Sequence, residues 1–170
     1  MSIDFNKNEC ETIISYSNIY GNIHVSEIDT FMVKSKIDYN IGNVYRDDRT
    51  QWVFDKISNF LSNDFPDNKV RDIDFFYLQQ YSEGMKFTKH IDKTRDKNWY
   101  VVTGCTLTDT HVGGKLLAYN PDTEYASNMG EMYWMWADRL HEVTVIEKGV
   151  RWSIVLFLTQ DDLGMKQKTI

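Results

Sequence analysis

Val143-Thr144-Val145-Ile146-Glu147-Lys148-Gly149-Val150-Arg151-Trp152-Ser153-Ile154-Val155-Leu156-Phe157-Leu158 reads as two strands around a turn. Both arms are rich in β-branched and apolar residues, and Glu147-Lys148-Gly149 carries the glycine that a tight turn favours. The spacing predicts a β-hairpin with arms Val143 to Ile146 and Arg151 to Leu158. With the turn centred near Lys148, His141 would pair with about Val155 and point to the same interior as Ser153 and Arg151. His141 and Arg151 would then stand about four residues, or about 13 Å, apart along the strands.

The same texture extends upstream. Phe75 to Leu78, Phe87 to Asp92, Trp99 to Leu107, Lys115 to Tyr119 and Gly130 to Trp136 are short β-rich segments with no long helix between them. Many short strands in succession imply an antiparallel sandwich or barrel rather than βαβ units. A jelly roll needs about eight strands, and Ile23 to Ile28 would supply the missing one. Before Asp72 the pattern is mixed. Ile28 to Ile37 has moderate apolar spacing. Thr50 to Leu61 predicts a helix capped by Thr50, with Trp52, Val53, Ile57, Phe60 and Leu61 on one stripe and Phe65-Pro66-Asp67 ending it. The expected organisation is one domain over residues 1–170, with a supporting region at 1–71 and a mainly β core at 72–160.

Composition excludes several classes. The chain has 170 residues, 42% hydrophobic, 26% charged and 14% aromatic, which suits a globular domain and not a disordered one. No apolar run reaches the roughly 18 residues of a membrane span, and Met1 to Cys10 has no apolar block of a secretory leader, so no membrane partner is expected. The net charge is −6. The densest basic stretch, Lys86 to Lys97, also holds Asp92 and Asp96, so the sequence argues against a nucleic-acid partner. Cys10 and Cys105 form no disulfide framework, which favours a reducing, cytoplasmic setting, and Cys105 in its apolar strand is expected to be buried and inert.

Of the four histidines, His24, His90, His111 and His141, only His90 has a carboxylate two residues on. On a strand, His90 and Asp92 project from one face and could grip one ion. With His141 they make two imidazoles and one carboxylate, which leave three adjacent positions open on an ion. That is the facial arrangement of non-haem Fe(II) oxygenases, where two open positions can chelate a 2-oxo acid and the third can accept O2. Arg151 lies on an otherwise apolar strand and calls for an anion: a cosubstrate carboxylate, or an acid in a structural ion pair. His111 is a candidate fourth ligand or a solvated loop residue. The strand with Trp134 and Trp136 presents one face to the core and one to a candidate groove; Trp99 and Tyr100 are further candidates for substrate contact.

Tyr81-Ser82-Glu83-Gly84-Met85-Lys86-Phe87-Thr88-Lys89-His90-Ile91-Asp92 resembles the Tyr-x-x-Gly-x-aromatic-x-x-His-x-Asp segment of prolyl 4-hydroxylases, within the 2-oxoglutarate- and Fe(II)-dependent dioxygenases. Leu107-Thr108-Asp109 with Gly113-Gly114-Lys115-Leu116 is similar to that family's strand and Gly-Gly turn. Leu140-His141-Glu142-Val143 with Gly149-Val150-Arg151-Trp152-Ser153 is similar to its distal histidine and cosubstrate anchor. More distantly, Arg46 to Gln51 resembles its substrate-side loop.

The resemblance implies a double-stranded β-helix, or jelly roll, of the α+β kind with a supporting N-terminal helix. It implies His90, Asp92 and His141 as iron ligands and Arg151 as the anchor of 2-oxoglutarate, with Tyr81 and Thr106 lining the cosubstrate pocket. Fe(II), 2-oxoglutarate and O2 are the implied cofactors, with ascorbate as a candidate reductant. Arg151 stands where collagen-type enzymes carry lysine and matches the oxygen-sensing branch. The implied reaction is hydroxylation of a C–H bond of a protein or peptide side chain, proline first. A free amino acid as substrate and a metal-free jelly-roll binding module are the competing readings. Nucleic-acid repair is disfavoured, because such enzymes carry a second arginine six residues after the anchor, where Phe157 stands here.

Overall fold

The structure is a computed structural model that describes residues 3–20, 24–25, 40–94 and 96–166. Helix α1 spans Lys7–Ser15, α2 Ser17–Tyr20 and α3 Gln51–Leu61. The strands are β1 His24–Val25, β2 Asn40–Tyr45, β3 Phe75–Tyr81, β4 Phe87–His90, β5 Val101–Thr106, β6 Val112–Gly113, β7 Leu116–Ala118, β8 Thr123–Tyr125, β9 Met132–Trp136, β10 His141–Val143, β11 Ile146–Lys148 and β12 Arg151–Leu158. The strand expected over Ile23 to Ile28 coincides with β1. The rest of that stretch, and the apolar segment Ile28 to Ile37, lie outside the described residues.

Two antiparallel sheets face each other. The major sheet has the order β1-β2-β3-β12-β5-β9, and the minor sheet β4-β10-β7-β8; β11 and β6 form a separate pair. From β3 onward the chain passes back and forth between them, with β3, β5, β9 and β12 in the major sheet and β4, the β7–β8 pair and β10 in the minor, so it winds as a jelly roll, the expected double-stranded β-helix.

The helices form a third layer on the outer face of the major sheet. Asn6 starts α1 with a reciprocal cap: its side-chain oxygen accepts from the Glu9 amide at 3.0 Å, and the Glu9 carboxylate accepts from the Asn6 amide at 2.8 Å. Helix α3 buries Val53, Phe54, Ile57 and Leu61. Phe54 packs on Phe76 of the sheet with ring centroids 5.5 Å apart. Trp52 and Phe60, placed on the stripe by periodicity, are only partly buried, and Phe54 takes the central position. Thr50 does not cap α3; its hydroxyl instead donates to the Tyr45 carbonyl at 2.8 Å and accepts from the Asp47 amide at 2.9 Å.

Strand β12 is covered on both faces, which accounts for its near-continuous apolar run. Ile154, Leu156 and Leu158 join the helix-side core. Arg151, Ser153, Val155 and Phe157 alternate with them and so face the space between the sheets.

The expected hairpin does not form. Strand β10 pairs with β4 and β7, placing His141 opposite His90 and Ala118, not Val155. Strand β11 pairs with β6, and β12 pairs with β3 and β5. The segment Glu147-Lys148-Gly149 therefore carries the chain from one sheet to the other. Gly149 has φ 81°, a conformation that glycine adopts without strain, and such a residue serves a crossover as well as a hairpin.

Candidate active site

The crossover puts His141 and Arg151 on facing sheets. Strand β4 delivers His90 and the adjacent β10 delivers His141, so the two imidazoles are cross-strand neighbours with centroids 4.2 Å apart. Asp92 lies just past the end of β4, not on it. Its amide and that of Lys93 donate to the Ala137 carbonyl at 2.9 and 2.8 Å, and this clamp turns the carboxylate toward the histidines. Asp92 Oδ1 is 3.5 Å from His90 Nε2, and Asp92 Oδ2 is 3.2 Å from His141 Nε2. One ligand atom from each residue lies within 4.8 Å of the others, and all three side chains are buried.

Each imidazole is oriented by the backbone two residues before it. His90 Nδ1 is 2.7 Å from the Thr88 carbonyl oxygen, and His141 Nδ1 is 2.8 Å from that of Arg139. A carbonyl accepts only, so Nδ1 carries the proton and Nε2 presents its lone pair to the cluster. Among the described residues, neither His90 Nε2 nor Asp92 Oδ2 makes a hydrogen bond of donor-to-acceptor geometry, although both are buried. Burial pushes the Asp92 carboxyl up, but the two histidines outweigh it and hold it well below the usual carboxylate range. Burial lowers His141, and Asp92 beside it raises it further than burial lowers it. Two buried imidazole nitrogens and a buried carboxylate with lone pairs converging on one point form a donor set that fits a divalent metal with open coordination positions. His111 does not join this cluster among the described residues.

Arg151 is 3% exposed. Its Nη1 donates to Ser153 Oγ at 3.0 Å and its Nη2 to Thr106 Oγ1 at 3.1 Å. Ser153 Oγ in turn donates to Gln79 Oε1 at 3.3 Å. Tyr81, fully buried and opposite Arg151 in register, places its ring 5.6 Å from the guanidinium carbon. No acid pairs with Arg151 among the described residues, so the structural ion pair is ruled out there. Burial lowers the Arg151 pKa from its usual value. A buried guanidinium held only by hydroxyls is incomplete without an anion.

A cavity of about 430 Å³ reaches Arg151 and Thr106 and is lined also by His111, Gly114, Leu116 and Tyr125. His111 thus sits on the Arg151 side, where burial and the guanidinium lower its pKa. Gly114 packs so closely on Arg151 that a Cβ there would lie 3.0 Å from the Arg151 Cδ.

Sequence reasoning placed Arg151, Thr106 and Tyr81 together only through the resemblance. It missed Gln79, which touches the site through strand pairing, and the carbonyls of Thr88 and Arg139, which leave no mark in residue type. The i+2 spacing of Arg151 and Ser153 on one strand face was a usable signal.

On β9, Tyr133 and Met135 face the space between the sheets. Trp134 packs on Phe65 at 5.2 Å on the outer side, and its indole donates to Asp64 at 2.9 Å. That outer face is therefore packing, except for Trp136, which is 42% exposed. Trp99 stacks on Phe157 with centroids 4.1 Å apart, and Tyr77 meets Phe157 edge-on at 5.6 Å. With Phe75 these rings line a second cavity of about 420 Å³. Cys105 is buried, and burial raises its thiol pKa well above the usual value.

Residues 76–159 match the family model of the 2OG-Fe(II) oxygenase superfamily. No curated protein matches the sequence. Among solved structures, a prolyl hydroxylase from Trichoplax adhaerens in complex with a hypoxia-inducible-factor oxygen-degradation-domain peptide superposes with TM-score 0.69 at 15% identity, covering 94% of this chain and 82% of that one. A viral collagen prolyl hydroxylase of Paramecium bursaria Chlorella virus 1, in a 2-oxoglutarate complex, gives 0.69 at 12% identity with 92% of both chains covered. A Pseudomonas putida prolyl-4-hydroxylase gives 0.66 at 13% identity, with 94% and 90% covered. At such identities the likeness is one of fold. No described helix is long and apolar enough to cross a membrane.

Proposed function

This chain belongs to the 2OG-Fe(II) oxygenase superfamily and is a dioxygenase, and we propose that it hydroxylates a side chain of a protein or peptide, proline first. The observation that carries the site assignment is the buried Arg151, which has no acid partner among the described residues and faces the His90–Asp92–His141 cluster from the opposite sheet. In this reading the cluster holds Fe(II), and Arg151 with Thr106 and Tyr81 holds the far carboxylate of 2-oxoglutarate.

Iron, when bound, supplies activation of O2 coupled to decarboxylation of the 2-oxo acid to succinate and CO2. The chain does the rest. The Thr88 and Arg139 carbonyls keep His90 and His141 in the metal-binding tautomer. Arg151 offers a charged fork already braced by Ser153 and Thr106, so little side-chain freedom is lost when a carboxylate docks. The inner walls, including Tyr81, Val155 and Leu116, exclude water from the path between the two anchors.

A peptide substrate is supported by the aromatic wall of Trp99, Phe157 and Tyr77, whose flat faces suit a prolyl ring. It is supported also by the relative from Trichoplax adhaerens, which is described in complex with a peptide.

The test has two stages. Protein mixed anaerobically with Fe(II) and 2-oxoglutarate should develop the weak visible charge-transfer band of the chelate. The band should be lost in His141→Ala and weakened in Arg151→Ala. Proline-containing peptides are then incubated with O2 and ascorbate, and the expected product is heavier by one oxygen atom. No band from folded protein that binds no metal would refute the site assignment and leave a binding module. A band with free amino acids hydroxylated and peptides untouched would refute the peptide assignment alone.

A further inference from the structure

Tyr133 has no role in the reading above, yet it occupies a distinctive place. It faces the space between the sheets from β9, is 8% exposed, and pairs in register with Gly104 on β5. Its ring leans across that glycine. A Cβ at residue 104 would lie 2.9 Å from the Tyr133 hydroxyl and 3.0 Å from its ring carbon Cε1. The tyrosine thus fills the space that a side chain at 104 would otherwise take, and carries a hydroxyl into it.

That place adjoins the Arg151 side of the space between the sheets. Gly104 and Thr106 lie two apart on β5, so they share a face at a spacing of about 7 Å. Arg151 leans from β12 onto Thr106, where its Nη2 donates at 3.1 Å. Tyr133 leans from β9 onto Gly104. The guanidinium and the phenol therefore converge over one strand from its two sides. Burial raises the phenol pKa far above its usual value, and Arg151 and Asp92 are both close enough to act on it electrostatically. Its hydroxyl makes no hydrogen bond among the described residues. The backbone carbonyl of Tyr133 is used by Thr103 instead, at 2.7 Å. A phenol that keeps its proton and bonds to no described residue is a donor available to an acceptor.

We infer that the Tyr133 hydroxyl is a further anchor of the 2-oxo diacid, donating to the carboxylate that Arg151 holds, and that glycine at 104 is what admits it. The inference rests on the proposed function, because it needs the diacid to lie between Arg151 and the cluster.

The test uses the full chain loaded with Mn(II), which occupies the metal site without turnover, and titrates 2-oxoglutarate by calorimetry. Wild type, Tyr133→Phe and Arg151→Met are compared. Phenylalanine keeps the ring and its packing and removes only the hydroxyl. Gly104→Ala is unsuitable, since its Cβ would lie 2.4 Å from the Ile154 carbonyl oxygen. The expected result is a roughly tenfold weaker 2-oxoglutarate affinity in Tyr133→Phe, the usual cost of a hydrogen bond to a charged group. Mn(II) affinity and the metal-free melting temperature should be unchanged. Wild-type 2-oxoglutarate affinity in Tyr133→Phe, with binding lost in Arg151→Met, overturns the inference and leaves the proposed function standing. Wild-type affinity in Arg151→Met overturns both. A fall in Mn(II) affinity or melting temperature that accompanies the loss makes Tyr133 a packing residue and also overturns the inference.

Discussion

Arg151→Met separates a binding charge from a structural one. The guanidinium is 3% exposed, touches Thr106 and Ser153 hydroxyls, and pairs with no acid among the described residues. Replacing a buried ion pair by apolar residues of similar volume is often neutral or stabilising by about 1–4 kcal/mol, and a lone buried guanidinium bears a desolvation cost with no paired charge to offset it. Against that stand the two hydroxyls, which lose a donor at a cost of about 1 kcal/mol each when a hydroxyl cannot turn elsewhere. Ser153 keeps Gln79 as an acceptor at 3.3 Å, so one of the two costs is reduced. The balance is a metal-free protein about as stable as wild type, or more stable by about 1–3 kcal/mol. For a chain of this size each kcal/mol moves the melting point by roughly 2–4 °C. Binding should respond in the opposite sense. Losing a buried, bidentate contact to a carboxylate costs about 2–5 kcal/mol, or roughly thirtyfold to several-thousandfold in 2-oxoglutarate affinity. Thermal melts of the metal-free variant and calorimetry of its Mn(II) form measure the two effects. A variant destabilised by several kcal/mol that still binds 2-oxoglutarate like wild type would show that Arg151 serves the fold, and would refute the reasoning.

Three further outcomes are expected. Mn(II) at about one hundred times its Kd should stabilise the protein by about 2.7 kcal/mol, and Asp92→Asn should abolish that shift while leaving the fold intact; an undiminished shift in the variant places the metal elsewhere. Glu9→Gln should flatten the loss of stability in acid. Burial raises the Glu9 pKa, but hydrogen bonds from Lys56 and the Asn6 amide lower it further, so its contribution is present above the unfolded value and lost as pH falls through the folded one. The difference should be about 0.5–1 kcal/mol between near-neutral and acidic urea melts, and parallel curves for wild type and variant would count against it. Cys10 and Cys105 should resist thiol reagents in the native protein at mildly alkaline pH and react only on unfolding, because burial pushes Cys10 to about 11 and Cys105 well above its usual value. Stoichiometric labelling without unfolding would contradict that.

The β content of this chain was legible because strands covered on one or both faces leave a periodic or continuous apolar mark, and β3, β5, β9 and β12 all do. Their partners were not legible. The turn at Glu147-Lys148-Gly149 looks the same whether the next strand folds back on its neighbour or crosses to the other sheet, since both need a residue with positive φ. Only the register of β10 on β4 and β7 decides between them. The site shows the same division. His90, Asp92 and His141 could be proposed from residue type and spacing, although Asp92 is placed by the Ala137 carbonyl and not by the strand alternation that suggested it. Gln79, and the inward hydroxyl of Tyr133, become visible only when neighbouring strands are aligned. The close fit of Tyr133 over Gly104 is a relation between two strands that neither sequence segment contains alone.

Crossing to the opposite sheet has a chemical consequence that a hairpin could not supply. Had His141 and Arg151 shared one hairpin, their separation would have followed the length of a strand, and bending or slippage of that strand would have altered it. Here the His90–Asp92–His141 cluster hangs from the minor sheet and the guanidinium from the major sheet, whose inner faces stand about 10 Å apart, as in sandwiches generally. The spacing between the two anchors is therefore set by the side chains packed between the sheets. Tyr81, Leu116, Tyr133 and Val155 belong to that packing and flank the same space. The residues that stabilise the sandwich thus also fix the distance between the cluster and Arg151, which in the proposed reading is the distance a diacid spans. Sites set on packed sheets are held more precisely than sites on loops, and here it is His111 and Gly114 that approach Arg151 from outside the strands. The aromatic wall of Trp99 and Phe157 lies farther along β12 from Arg151, past Val155, so in the proposed reading one strand carries both the cosubstrate anchor and part of the substrate surface.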